Sequence, residues 1–128
     1  MIVSIPVSIG ELIDKISILL IKSDKISDLN KNNLIKKELN QLREILDSIN
    51  LEQNKIESYL IDLKEINLKL WNVEDEIRTL EGKKKFNQKF IELARSVYKL
   101  NDVRAKIKLE INNEFGSSII EIKSYIDY

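Results

Sequence analysis

Glu74, Arg78, Asn101, Arg104 and Lys108 are the residues with both the type and the spacing to do chemistry together. Steps of three and four place Glu74 with Arg78 on one helical face, and Asn101, Arg104 and Lys108 on another. Each set interrupts an apolar stripe. Tyr59, Leu60, Leu63, Ile66, Leu70, Val73 and Ile77 form an arc around Trp71, into which Asn67, Glu74, Arg78 and Glu81 also project. Further on, Leu93, Val97, Leu100, Ile107 and Ile111 flank one side of Asn101, Lys108 and Asn112, and Ile91, Ala94, Tyr98, Ala105 and Leu109 the other. Polar groups in such stripes are costly to bury alone, so they must be paired, hydrated or turned to a ligand.

Two chemistries fit these groups. In one, Glu74, Arg78, Arg95, Asn101 and Arg104 form a buried ion-pair and amide network that fixes helix register. In the other, they line a pocket between helices: the arginines and Lys108 hold a phosphate or carboxylate while Trp71 or Tyr98 stacks on a base or sugar. The planar fork of arginine suits such anions.

The chain contains no histidine and no cysteine, which removes the commonest general base, the thiol nucleophile, the zinc cage and any disulfide. A metal would need oxygen ligands, pointing to magnesium, calcium or manganese. Glu11, Asp14, Glu74 and Asp75 supply a weak magnesium alternative, because carboxylates three apart on one helical face can share an ion. Against it, Glu11 is already accounted for as a helix cap, Asp75 points away from the arc holding Glu74, and no second E-x-x-E follows. Three glycines form no phosphate loop.

Lys+Arg and Asp+Glu number 21 each in 128 residues, so no overall field favours general nucleic-acid binding or an anionic membrane. The content of 43 % hydrophobic and 33 % charged residues fits one folded helical domain spanning 1–128 rather than a disordered chain. No apolar run reaches the roughly 20 residues of a membrane span. The first residues lack the basic leader and apolar block of a secretory signal, which makes a cytoplasmic protein the expectation. The Lys83-Lys84-Lys85 run reads as a solvated turn.

Four helices must position these groups. Residues 2–5 are β-prone and stop at Pro6; Ser8 and Glu11 then form a capping box, with Val7 packing on Leu12, at the start of a helix over about 9–23. That helix is apolar almost all round, as expected of a central element or one that packs on another subunit. The turn-rich SDKISDLNKNN separates it from a second helix over about 32–49, whose face of Leu34, Ile35, Leu39, Leu42, Ile45, Leu46 and Ile49 marks a peripheral element. A third helix over about 55–81 ends at Gly82, and a fourth runs over about 87–114. The short connection predicts an antiparallel hairpin, with Glu74 opposite Ala94 and Arg95, Asn67 opposite Asn101, and Glu74 bonding Arg95 or Tyr98. The closing SSIIEIKSYIDY alternates like a strand, suited to residues 2–5 or to a second copy.

VSIGELIDKISIL (7–19), LWNVEDEIR (70–78), FIELARSVYKLNDVRAKIKLEIN (90–112) and GSSIIEIKSY (116–125) together resemble a bacterial domain-of-unknown-function family. A second helical family of unknown function is similar in its LW--ED and N--R motifs. Members of both tend to lie near glycosyltransferase and surface-polysaccharide genes, so the resemblance implies a role around surface glycans. This sequence departs from the pattern at Leu20 and Ile122, where glutamates are expected.

The expected fold is all-α: a four-helix bundle dominated by a long C-terminal hairpin, with short extended ends and a homodimer as the means of covering the first helix. The expected function is a non-catalytic or accessory protein of surface-glycan metabolism whose polar cluster binds an anionic small molecule. The alternative is a small enzyme acting on a nucleotide or sugar phosphate, with no cofactor expected and magnesium as the weak option. The candidate ligand-binding residues are Trp71, Glu74, Arg78, Arg95, Tyr98, Asn101, Arg104 and Lys108.

Overall fold

The computed structural model describes residues 1–128 and contains four α-helices: α1 (Ile9–Lys25), α2 (Leu29–Ser48), α3 (Gln53–Gly82) and α4 (Gln88–Glu114). Local chemistry sets most of the boundaries. The Ser8 hydroxyl accepts from the Glu11 amide at 3.0 Å and starts α1. Asp28 does the same for α2 by accepting from Lys31, so that helix begins three residues before its expected start at 32. The break between α1 and α2 shrinks because the Asn32 amide donates to the carbonyls of Ser23 and Ile26, satisfying the end of α1. Asn87 caps α4 through the Phe90 amide at 3.1 Å. Gly116, at φ 65°, lets Ser117 donate back to the Asn112 carbonyl and closes α4.

The nearly all-apolar α1 is the central element. It packs against each of the other three helices, whereas α2 touches α1 alone. Ile13 and Ile16 of α1 are fully covered and join Leu39 and Leu46 of α2, Leu60, Leu63 and Ile66 of α3, and Ile111 of α4 in one core. The apolar face predicted for α2 is wider than its footing: Leu34 and Ile45 remain exposed. A helix leaning on a single neighbour buries only a narrow stripe.

The 17 residues of α1 span about 25 Å and the 30 of α3 about 45 Å at 1.5 Å per residue. The α3–α4 hairpin therefore outruns the rest of the bundle. Beyond Asn67, no residue of α3 is buried, and on the matching part of α4 only Leu93 is.

No strand forms. Residues 2–5 lie over α1 and α2, while the closing segment runs back along α4, so the two alternating stretches sit on different sides of the bundle. Glu121 reaches Lys108, the Tyr128 hydroxyl donates to Asp102 at 2.6 Å, and the Tyr128 ring meets Tyr98 edge-on at 5.1 Å. No helix is long and apolar enough to cross a membrane.

Candidate functional site

Asp14, on the α1 face turned to α3 and α4, organises the polar interior. Its side chain is 1 % exposed. Arg104 grips it with two donors, Nε to Oδ1 at 3.0 Å and Nη2 to Oδ2 at 2.5 Å. Asn67 Nδ2 donates both to Asp14 Oδ1 and to Ser17 Oγ, each at 2.8 Å, and the Ser17 hydroxyl donates to the Asp14 carbonyl. The hydrogen-bonded Asp14 carboxylate raises the Arg104 pKa further above its already high value, against the opposing effect of burial.

One turn along α4, Lys108 Nζ donates to Glu11 Oε2 at 2.6 Å and to Glu121 Oε2 at 3.2 Å, with Asp14 Oδ2 at 3.8 Å. Burial acts to lower the Lys108 pKa, but the three carboxylates outweigh it and raise the value above that of an ordinary lysine. Glu11 thus completes only half of the expected capping box. Its amide is capped by Ser8, while its carboxylate reaches Lys108.

Beside this network lies a solvent-open cleft of about 420 Å³ between α1, α3 and α4. Ile18, Ile21, Leu70 and Trp71 form its apolar lining. Asn67, Glu74, Asp75, Arg78, Asn101 and Arg104 supply the polar lining. Several of these groups keep unused capacity. The Trp71 indole N–H, Asn101 Nδ2 and the Asp75 carboxylate make no hydrogen bond within the chain, and Arg104 Nη1 has only a 3.5 Å contact with Asn101 Oδ1. Glu74 and Arg78 are loosely paired at 3.7 Å, and the arginine side chain is 79 % exposed.

Five of the eight candidate ligand residues therefore meet on one cavity: Trp71, Glu74, Arg78, Asn101 and Arg104. The other three lie elsewhere. Arg95 is exposed on the hairpin and makes no ion pair; Tyr98 packs against Tyr128; Lys108 is buried among the carboxylates that hold it. Glu74 pairs within its own helix rather than with Arg95 or Tyr98: Arg95 is exposed, and the Tyr98 ring is turned to Tyr128. Asn67 and Asn101 share the cleft, as the hairpin register predicts.

The four candidate metal ligands divide into two places. Glu11 and Asp14 are neutralised by Lys108 and Arg104, while Glu74 and Asp75 line the cleft, and no three carboxylates approach closely enough to hold an ion. Asp75 does border the same cavity as Glu74, contrary to its expected direction.

Reading the sequence underrates Asp14, Gly10 and Glu121. Gly10 brings α1 against α4: its amide donates to Asn112 Oδ1 at 2.7 Å, and a Cβ there would lie 2.6 Å from the Lys108 carbonyl. The available signals were an acid on the apolar face of a helix and a glycine inside its first turn.

An all-α bundle built on a buried aspartate and flanked by a polar cleft is the class of protein that the fold defines. The chain belongs to a family described as a family of unknown function (DUF6165), which it matches over residues 2–127. No curated protein matches it, and neither does any solved structure.

Proposed function

We propose that this is a non-catalytic, cytoplasmic binding protein whose α1–α3–α4 cleft takes one small polyhydroxylated molecule carrying a single anionic group. A sugar phosphate or an acidic sugar has that chemistry. The observation that carries this reading is the unused hydrogen-bonding capacity of Trp71, Asp75, Asn101 and Arg104 around a single cavity. At about 420 Å³ it lies within the ordinary range for small-molecule sites. Arg104 is already paired with Asp14, so Glu74 and Asp75 face Arg78 as the one cation free to meet a ligand, which disfavours a polyanion and favours hydroxyl groups beside at most one negative charge. Trp71 offers a face for a sugar ring and an N–H for one of its oxygens. A role as an accessory to surface-glycan metabolism rests on the gene neighbourhoods of the families that the motifs resemble. The apolar residues left open on residues 2–5 and 119–126 suit a homodimer.

The test is calorimetric titration with glucose 1-phosphate, galacturonate and glucose, with and without magnesium. Saturable binding of an anionic sugar, lost in Trp71→Ala and Arg78→Gln while thermal melting is retained, supports the reading. Silence across the panel overturns it. Turnover of glucose 1-phosphate only when magnesium is added would favour a small phosphate-ester enzyme, for which Glu74 and Asp75 are the available carboxylates.

A further inference from the structure

On the opposite side of the Asp14 network from the cleft, α4 and the closing segment enclose a second cavity of about 250 Å³. Lys106, Lys108, Asn112, Glu121 and Lys123 line it. Its charge is unlike that of the cleft: three lysines and one carboxylate line it, and two of the lysines reach that carboxylate. Lys106 has no carboxylate partner at all, and Lys123 Nζ stands 3.7 Å from Glu121. Glu11 and, at 3.8 Å, Asp14 reach Lys108 from the α1 side; Arg104 neutralises Asp14, and the charge left over is that of Lys106.

Asn112 provides an independent pointer. The residue is 2 % exposed, and the Gly10 amide donates to its Oδ1, which fixes the orientation of the side-chain amide. Its Nδ2 then makes no hydrogen bond within the chain, yet no sealed side-chain nitrogen lacks a partner. The amide therefore opens on the cavity that it lines. A fixed N–H donor in a pocket also lined by ammonium groups has the chemistry of an oxyanion receptor.

We infer that the Lys106–Lys108–Lys123 cavity is a second binding site, for a phosphate or carboxylate group, and that Glu121 is its built-in occupant. The volume is below that of sites for whole organic ligands, so the cavity takes an anionic group whose remainder lies outside. Asn112 donates to one oxygen of that group and the lysines to the others. Glu121 holds the place in their absence: its carboxyl lies below the usual glutamate range, chiefly because Lys108 donates a hydrogen bond to it. An incoming oxyanion displaces that carboxylate, and the segment around Glu121 loses one of its few ties to α4. This site is independent of the cleft and of what binds there.

The test is an amide-resolved NMR titration of the intact chain with inorganic phosphate, using chloride at equal ionic strength as control. Saturable shifts confined to residues 105–112 and 121–123 are expected. Lys106→Ala, an exposed side chain with no structural partner, should weaken binding roughly tenfold, the size of one charge-assisted contact. Glu121→Gln, which removes the competing charge, should strengthen it. Trp71→Ala should leave it unchanged, which separates this site from the cleft. Glucose 1-phosphate and galacturonate distinguish the sources: saturation by every oxyanion assigns the bare group, and saturation by the phosphorylated sugar alone assigns its ester. Shifts that grow linearly, shifts matched by chloride, or Lys106→Ala and Glu121→Gln both binding like the parent would overturn the inference.

Discussion

At Asp14 and at Glu74 the chain sets a carboxylate beside an arginine, but only at Asp14 is the pair enclosed. Asp14 lies between α1, α3 and α4, receives two donors from Arg104 and a third from Asn67, and is shut off from water. Glu74 meets Arg78 at 3.7 Å on the free part of α3, with the arginine largely in solvent and the glutamate half exposed. Residue type is the same in the two places; what differs is how far α1 extends. Where α1 covers the hairpin, polar groups are locked to each other. Past its end they remain available, and the cleft lies at that border.

The contrast can be broken experimentally, most sharply at its buried end. Asp14→Ala strands Arg104 and Asn67, and should cost about 3–5 kcal/mol of unfolding free energy in chemical denaturation, as for other broken buried pairs. A loss below about 1 kcal/mol would mean that the network does not organise the bundle. Gly10→Ala should cost about 1–3 kcal/mol, because the new methyl meets the backbone carbonyl of Lys108 rather than a side chain that can move aside. Glu74→Gln and Arg78→Leu should each change stability by no more than about 0.5 kcal/mol, and a double-mutant cycle should return a coupling of similar size. Arg95→Leu should be equally neutral.

The smallest effect concerns pH. The Glu121 carboxyl is lowered in the folded chain, so its contribution is complete above the unfolded value of about 4.3 and fades as pH falls through the lower folded value. Amide exchange of residues 119–128 should accelerate over that acid window while the core amides of α1 stay protected. Uniform loss of protection would show that the segment is not separately anchored.

Much of the fold was legible because it rests on short-range rules. The stripes around Leu63 and Ile111, the cap at Ser8 and the stop at Gly82 each depend on neighbours within a few residues. The hairpin register was legible for the same reason, and it brought Asn67 to Asn101. What could not be read was the approach of α1, which depends on packing between residues about 100 apart. Asp14 therefore read only as a weak metal ligand, and Lys108 as part of the α3–α4 cluster, whereas α1 and the closing segment supply the carboxylates around Lys108. The strand-like alternation of residues 119–126 misled for a different reason. A strand needs a pairing edge, and a segment lying along a helix has none.

The junction of Gly10 with Asn112 also has a consequence for biosynthesis. The most oily helix leaves the ribosome before the other three, and its seat is finished by residues made 102 positions later. Until then its apolar surface has only α2 and α3 to shelter it, and contacts of such sequence separation close slowly. The nascent polypeptide is thus exposed to wrong association for most of its synthesis, and chaperone demand should fall abruptly once α4 has emerged.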